Sequence, residues 1–150
     1  PVAKAGMIGL SNLIALEGAE HGIKSNLILP GAVTRMAEGL DTSQYPPMTP
    51  DMVAPVVGYL CHEDCAVTAE MYVAMSGRVA RAYVSETPGL YKPDWTIDAV
   101  AENLAAIREP QGSWALHPAE GGFVEHLTRS FGMVRGGDQY GRSPASGSGR

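Results

Sequence analysis

The chain has 150 residues, a formal charge of −5 at pH 7, 45% hydrophobic residues and 18% charged ones. It is as long as one ordinary domain and too apolar and too sparsely charged for a disordered acidic chain. The surplus of acid argues against nucleic acid as a partner, because phosphate recognition needs excess Lys and Arg. Two cysteines cannot build a disulfide framework, no apolar run approaches the ~20 residues that cross a bilayer, and no leader pattern is visible. A soluble, globular, cytoplasmic protein without membrane or nucleic-acid partners is expected. The chain starts at Pro1 directly inside a helical pattern, which reads as a fragment.

Residues 1–20 predict a helix. Pro1 suits a first turn, where its missing N–H has no partner in any case. Met7, Leu10 and Ile14 form a stripe that Ile8, Leu13 and Leu16 widen, and Ala3, Ala5, Gly6, Gly9 and Ala15 keep another side thin. A helix apolar nearly all round is buried on more than one side. Gly22 supplies the stop.

Ile23 to Leu29 predicts a strand that Pro30-Gly31 breaks. Residues 31–48 follow as a long loop, a length that tends to be functional. Thr49-Pro50-Asp51 reads as a helix start, with the helix running to about Leu60 and disturbed by Pro55. Glu70 to Met75 predicts a second strand ended by Ser76-Gly77.

Helix, strand, long loop, helix, strand is the order of the second half of a doubly wound parallel sheet. Beyond it, residues 79–84 read as a further extended segment. Thr96 caps a helix to about Ile107 with Ile97, Val100, Leu104 and Ile107 on one face, and Phe123, Val124, Leu127 and Phe131 line a short one. The Gly/Ser-rich end from Gly141 reads as disordered.

Lys4 at the head of the first helix and the run Asn26-Leu27-Ile28-Leu29-Pro30-Gly31 carry a resemblance. The family signature is Tyr-x-x-x-Lys opening such a helix, then a strand closing in Asn-x-x-x-Pro-Gly. Together with Ala5-Gly6-Met7-Ile8-Gly9-Leu10 and Ala15-Leu16-Glu17, residues 1–77 resemble the short-chain dehydrogenase/reductase family. The segments 78–84 and 86–89 are similar to the 3-hydroxyacyl-CoA dehydrogenase module of multifunctional β-oxidation enzymes.

The resemblance implies an α/β fold. Residues 1–77 form the C-terminal half of a Rossmann-type doubly wound parallel sheet, residues 78–131 a helical or irregular extension, and residues 132–150 a disordered tail. It implies an oxidoreductase that moves hydride between NAD or NADP and an alcohol, ketone or acyl-CoA substrate, assembled as a homodimer or homotetramer through the opening helix. The family's tyrosine would stand immediately before Pro1. Lys4 is the catalytic lysine: one turn later on the same face, its ammonium lowers the phenol's pKa from about 10, and it also holds the cofactor ribose.

Pro30 and Gly31 would form the turn beside the cofactor, Val33 would offer its backbone to the nicotinamide carboxamide, and Thr34 would reach the phosphates. Met36, Leu40, Tyr45 and Met48 would line the substrate pocket or pack the loop down. The Gly-rich cofactor turn and the family's serine find no match, so this stretch by itself is expected to be inactive.

Cys61, His62, Glu63, Asp64 and Cys65 invite a zinc reading, but no second Cys pair completes one; a helix-to-strand loop with no metal is expected. A non-catalytic binding or oligomerisation module of the same fold is the alternative function, and an unrelated interaction protein the third.

Overall fold

A computed structural model describes residues 2–117 and 122–136 of the chain. It divides into two compact units, Pro1–Tyr83 and Val84–Arg150. The first begins with α1 (Val2–Gly18), which tightens into a 3-10 turn over Ala19–His21 and stops at Gly22 in the left-handed conformation. Ser11, Ala15 and Gly18 are its buried positions. These small residues let the helix lie close on the strand that follows.

That strand, β1, spans Leu27–Gly31. It starts later than the apolar pattern predicts and continues through Pro30-Gly31 instead of breaking there. The reason lies in its pairing. β1 runs parallel to β2 (Met71–Met75), with Leu27 opposite Met71 and Gly31 opposite Met75. The Leu27 N–H donates to Glu70 O at 2.8 Å. Successive residues of a strand face opposite sides, so Leu29 and Gly31 also point their N–H groups to β2, whereas Ile28 and Pro30 face the outer edge. Proline at an outward edge position forfeits no ladder bond.

The register is set just before the strand. Asn26 Nδ2 donates to Val67 O at 2.9 Å, and Asn26 Oδ1 accepts from Glu70 N at 3.2 Å. Ser25 N donates to Thr68 Oγ1 and Ser25 O accepts from Ala69 N, and Lys24 Nζ donates to Cys65 O. Ser11 and Ser25 share a hydroxyl hydrogen bond of 2.9 Å, which ties the middle of α1 to the same strap.

The segment 49–60 starts as a 3-10 turn (Pro50–Met52) and becomes α2 only at Ala54–Leu60. Pro55 therefore opens α2 rather than disturbing it, where its lack of an N–H is harmless. After β2, Ser76 (φ 50°) and Gly77 (φ 78°) make a two-residue turn into β3 (Arg78–Ala82), which pairs antiparallel with β2. Two positive φ values match the hairpin turn whose twist suits the strands. The 79–84 segment thus folds back as a hairpin on the parallel pair.

Glu70 anchors this corner: its carboxylate accepts from Tyr72 Oη and pairs with Arg81 at 3.0 Å. The hydrogen bond to Glu70, burial and the adjacent negative charge push Tyr72 up to about 12.

In the second unit β4 (Ser85–Glu86) pairs antiparallel with β5 (Trp114–Ala115). The helix expected from Thr96 to Ile107 divides into α3 (Ile97–Glu102) and α4 (Leu104–Ile107). Thr96 caps it as expected, accepting from Ala99 N. Asn103 interrupts it, with its side chain donating to Ala99 O. Ile97 stays 90% exposed, so the proposed apolar face does not close over it.

The last helix, α5 (Gly122–Gly136), passes residue 131 and runs on to Gly136. His126 Nδ1 lies 2.8 Å from Glu86 Oε2, and Arg129 sits 4.1 Å over the Trp114 ring. The helix takes in residues 132–136 of the tail expected over 132–150, and residues 137–150 of it lie outside the described residues.

Two outcomes test this frame. Asn26→Ala removes one donor and one acceptor, leaves Glu70 N half-buried without its partner and leaves Val67 O only the weak Cys65 thiol donor, so stability in denaturant unfolding should fall by about 1–3 kcal/mol; an unchanged midpoint contradicts the strap. Because the phenol's pKa is higher folded than unfolded, the native state holds its proton longer. The Tyr72 contribution is whole below about pH 10 and declines as pH rises through about 12. Tyr72→Phe should flatten the stability loss in that alkaline window.

Candidate functional site

The carboxyl end of a parallel strand is where doubly wound sheets bind ligands. In the first unit that end is Pro30-Gly31, followed by Val33 and Thr34. The Ser11–Ser25 bond ties the middle of α1 to the segment leading into β1, with Lys4 seven residues before Ser11 and Gly31 six residues after Ser25. Lys4 lies in the first turn of α1 with its side chain exposed.

Gly31 has a local reason to be glycine. A Cβ there would lie 2.4 Å from Met75 Cε and 2.7 Å from Met75 Cγ. The space left by the missing side chain is filled by the opposite residue of β2, and this packing joins the strand ends at the site. Met75 did not stand out in the sequence beyond its place in an alternating strand.

Val33 is half-buried, and its N–H donates to Met48 O at 2.6 Å, closing the base of the 31–48 loop. Thr34 is the N-cap of a 3-10 turn (Arg35–Ala37), its Oγ1 accepting from Met36 N at 3.3 Å. A hydroxyl that accepts one bond still has its own proton to give. Farther along, Asp41 Oδ1 accepts from Ser43 N at 2.9 Å, and hydrogen bonds from Ser43 hold this carboxyl below its ordinary value.

Of the apolar loop residues, Met36 is 95%, Leu40 69% and Tyr45 60% exposed. In this structure they do not pack the loop down. Met48 is half-buried, and its carbonyl accepts the Val33 N–H at the loop base.

Cys61 is exposed and Cys65 buried, both as free thiols. His62 Nδ1 accepts from Asp64 N at 3.1 Å, an internal turn. Among the described residues no group of three or more His, Cys, Asp or Glu is placed to hold a metal ion, and no helix is long and apolar enough to cross a membrane.

No family model matches the sequence. The chain is 40% identical over 114 residues to a protein described as a short-chain type dehydrogenase/reductase of Mycobacterium tuberculosis, covering 74% of this chain and 40% of that one. It is 38% identical over 136 residues to peroxisomal multifunctional enzyme type 2 of Drosophila melanogaster, covering 85% of this chain and 23% of that one. It is 34% identical over 93 residues to a (3R)-3-hydroxyacyl-CoA dehydrogenase of the dog, 59% and 34% of the two chains. The solved full-length Drosophila enzyme superposes with a TM-score of 0.61 at 27% identity over 85% of this chain and 25% of that one.

The chain spans at most two fifths of the length of these relatives. These relatives are short-chain dehydrogenase/reductase family members, and the chain is similar to a part of each of them.

Proposed function

We propose that this chain supplies the nicotinamide-side edge, the catalytic lysine and the substrate loop of an NAD- or NADP-dependent oxidoreductase acting on an alcohol or ketone, with a 3-hydroxyacyl-CoA thioester as the substrate class. What supports the reading is a lysine in the first turn of α1 and the Pro30-to-Thr34 segment at the carboxyl end of a parallel strand, with helix and strand tied by the Ser11–Ser25 bond. The named dehydrogenase relatives support the oxidoreductase class.

The donor set suits a nicotinamide dinucleotide. The backbone N–H and C=O of Val33 complement a primary carboxamide, which offers one acceptor and one donor. The N–H is engaged by Met48 O, so seating the carboxamide exchanges one hydrogen bond for another. Thr34 keeps an O–H for a phosphate oxygen. When bound, the cofactor supplies or accepts the hydride.

The remaining work belongs to this chain. Lys4 donates to ribose hydroxyls, and its positive charge favours the ionised form of an acid/base phenol one helical turn earlier. Gly31 and Met75 keep the strand ends packed under the site. Met36, Leu40 and Tyr45 present apolar surface that an acyl chain or the carbon skeleton of a ketone covers.

The opening helix supports assembly as a homodimer or homotetramer. Met7, Leu10, Leu13, Ile14 and Leu16 are each 41–53% exposed on α1, more apolar surface than a lone helix face leaves in water. The unpaired Cys61 and Cys65 suit a reducing compartment, the cytoplasm in this reading.

In the full-length protein that carries this sequence, Lys4→Met should lower kcat with a 3-hydroxyacyl-CoA substrate at neutral pH on the order of 10²-fold. It should also move the pH profile to higher pH, because the phenol then ionises later. Full activity in Lys4→Met removes the catalytic claim and favours the binding-module alternative. The 150-residue chain alone should show no turnover; cofactor-dependent oxidation of an alcohol by it contradicts the division of labour. Leu13→Glu should convert the assembled protein to monomers in light scattering, and an unchanged mass excludes α1 as the interface.

A further inference from the structure

The loop between Val33 and Met48 is tied at its base and almost nowhere else. The 2.6 Å bond from Val33 N–H to Met48 O spans it. Its other hydrogen bonds are local: Met36 N to Thr34 Oγ1, Ala37 N to Thr34 O, Glu38 N to Arg35 O, Leu40 N to Ala37 O, Ser43 N to Asp41 Oδ1 and Tyr45 N to Thr42 O. Met36, Leu40 and Tyr45 face solvent, so side-chain burial adds little to hold it.

The acceptor, by contrast, is stiffly mounted. Pro46 and Pro47 precede Met48, and Pro50 follows Thr49. Thr49 has φ −88° and ψ 153°, the extended conformation to which a residue before proline is confined. Fixed φ angles at Pro46, Pro47 and Pro50 restrict the chain on both sides of Met48.

We infer that the Met48 carbonyl is a built-in competitor for the nicotinamide carboxamide, so that seating the cofactor releases the base of the 34–47 loop. The inference rests on the proposed role of Val33. One N–H cannot serve two acceptors at full strength, and a contact of 2.6 Å leaves no room for a second one in line. The carboxamide oxygen therefore displaces Met48 O, and with that bond gone the loop retains only its local turns. Cofactor affinity is reduced by the fraction of molecules in which the latch is closed, and loop freedom becomes linked to the nicotinamide end of the cofactor and not to its adenosine end.

The test uses the full-length protein. Calorimetry with NAD+ and NADP+ first establishes which dinucleotide binds. Hydrogen–deuterium exchange of peptides covering 34–47 is then followed in the free protein, with that dinucleotide, and with the matching ADP-ribose, which lacks the carboxamide. The inference expects exchange in 34–47 to rise several-fold with the dinucleotide and to stay at the free level with ADP-ribose bound. Pro47→Gly, which loosens the acceptor, should tighten dinucleotide binding roughly two- to tenfold, the range of one net hydrogen bond, and leave ADP-ribose binding unchanged.

Equal exchange with both ligands, lower exchange with the dinucleotide, or a Pro47→Gly protein that binds it no more tightly overturns the latch while leaving the oxidoreductase reading intact. Failure of both dinucleotides to bind overturns the reading itself, and the latch with it.

Discussion

Asn26 has an amide group whose two ends are both committed, the nitrogen to Val67 O and the oxygen to Glu70 N. Everything at the proposed site is downstream of that pairing. A parallel strand pair has no short turn to set its register, so side chains outside the ladder must do it. With Asn26 bridging to 67 and 70, Leu27 meets Met71 and Gly31 is carried to Met75. Gly31 then receives the Met75 side chain, and the chain leaves the strand there into Val33 and Thr34. A slip of one residue would turn every β1 side chain to the opposite face.

The second constraint is the scarcity of core. Ala15, Val53, Cys65 and Ala74 are the buried apolar side chains among the described residues. Polar bridges such as Ser11–Ser25 and Asn26–Val67 thus carry an unusual share of the ordering in the first unit. The exposed apolar residues of α1 and the unpaired outward edge of β1 add to that scarcity.

Much of this was legible from residue patterns. The helix, the strand pair and the loop between them followed from periodicity and from Gly/Pro punctuation, whereas the candidate site residues came from a family resemblance carried by one lysine and one Asn-to-Pro-Gly run. Other features were not. Pro30 reads as a strand breaker unless the strand's edge position is known. Pro55 reads as an interruption until a preceding 3-10 turn makes it a first-turn residue. Asn103 divides a helix whose apolar spacing is continuous, because its side chain competes for the Ala99 carbonyl. The Val33–Met48 bond is a backbone contact and leaves no residue-type signal, although the prolines around Met48 mark a segment of restricted geometry.

The central claim is that the β1–β2 register delivers Val33 and Thr34, together with Lys4, to one cofactor edge. The most direct measurement is a crystal structure of the full-length protein with its nicotinamide dinucleotide bound. The account predicts the carboxamide within hydrogen-bonding distance of the Val33 backbone, a phosphate at Thr34, and the Lys4 ammonium at the nicotinamide ribose. A dinucleotide bound away from the carboxyl end of β1, or strands in which Leu27 and Met71 are not parallel partners, contradicts it.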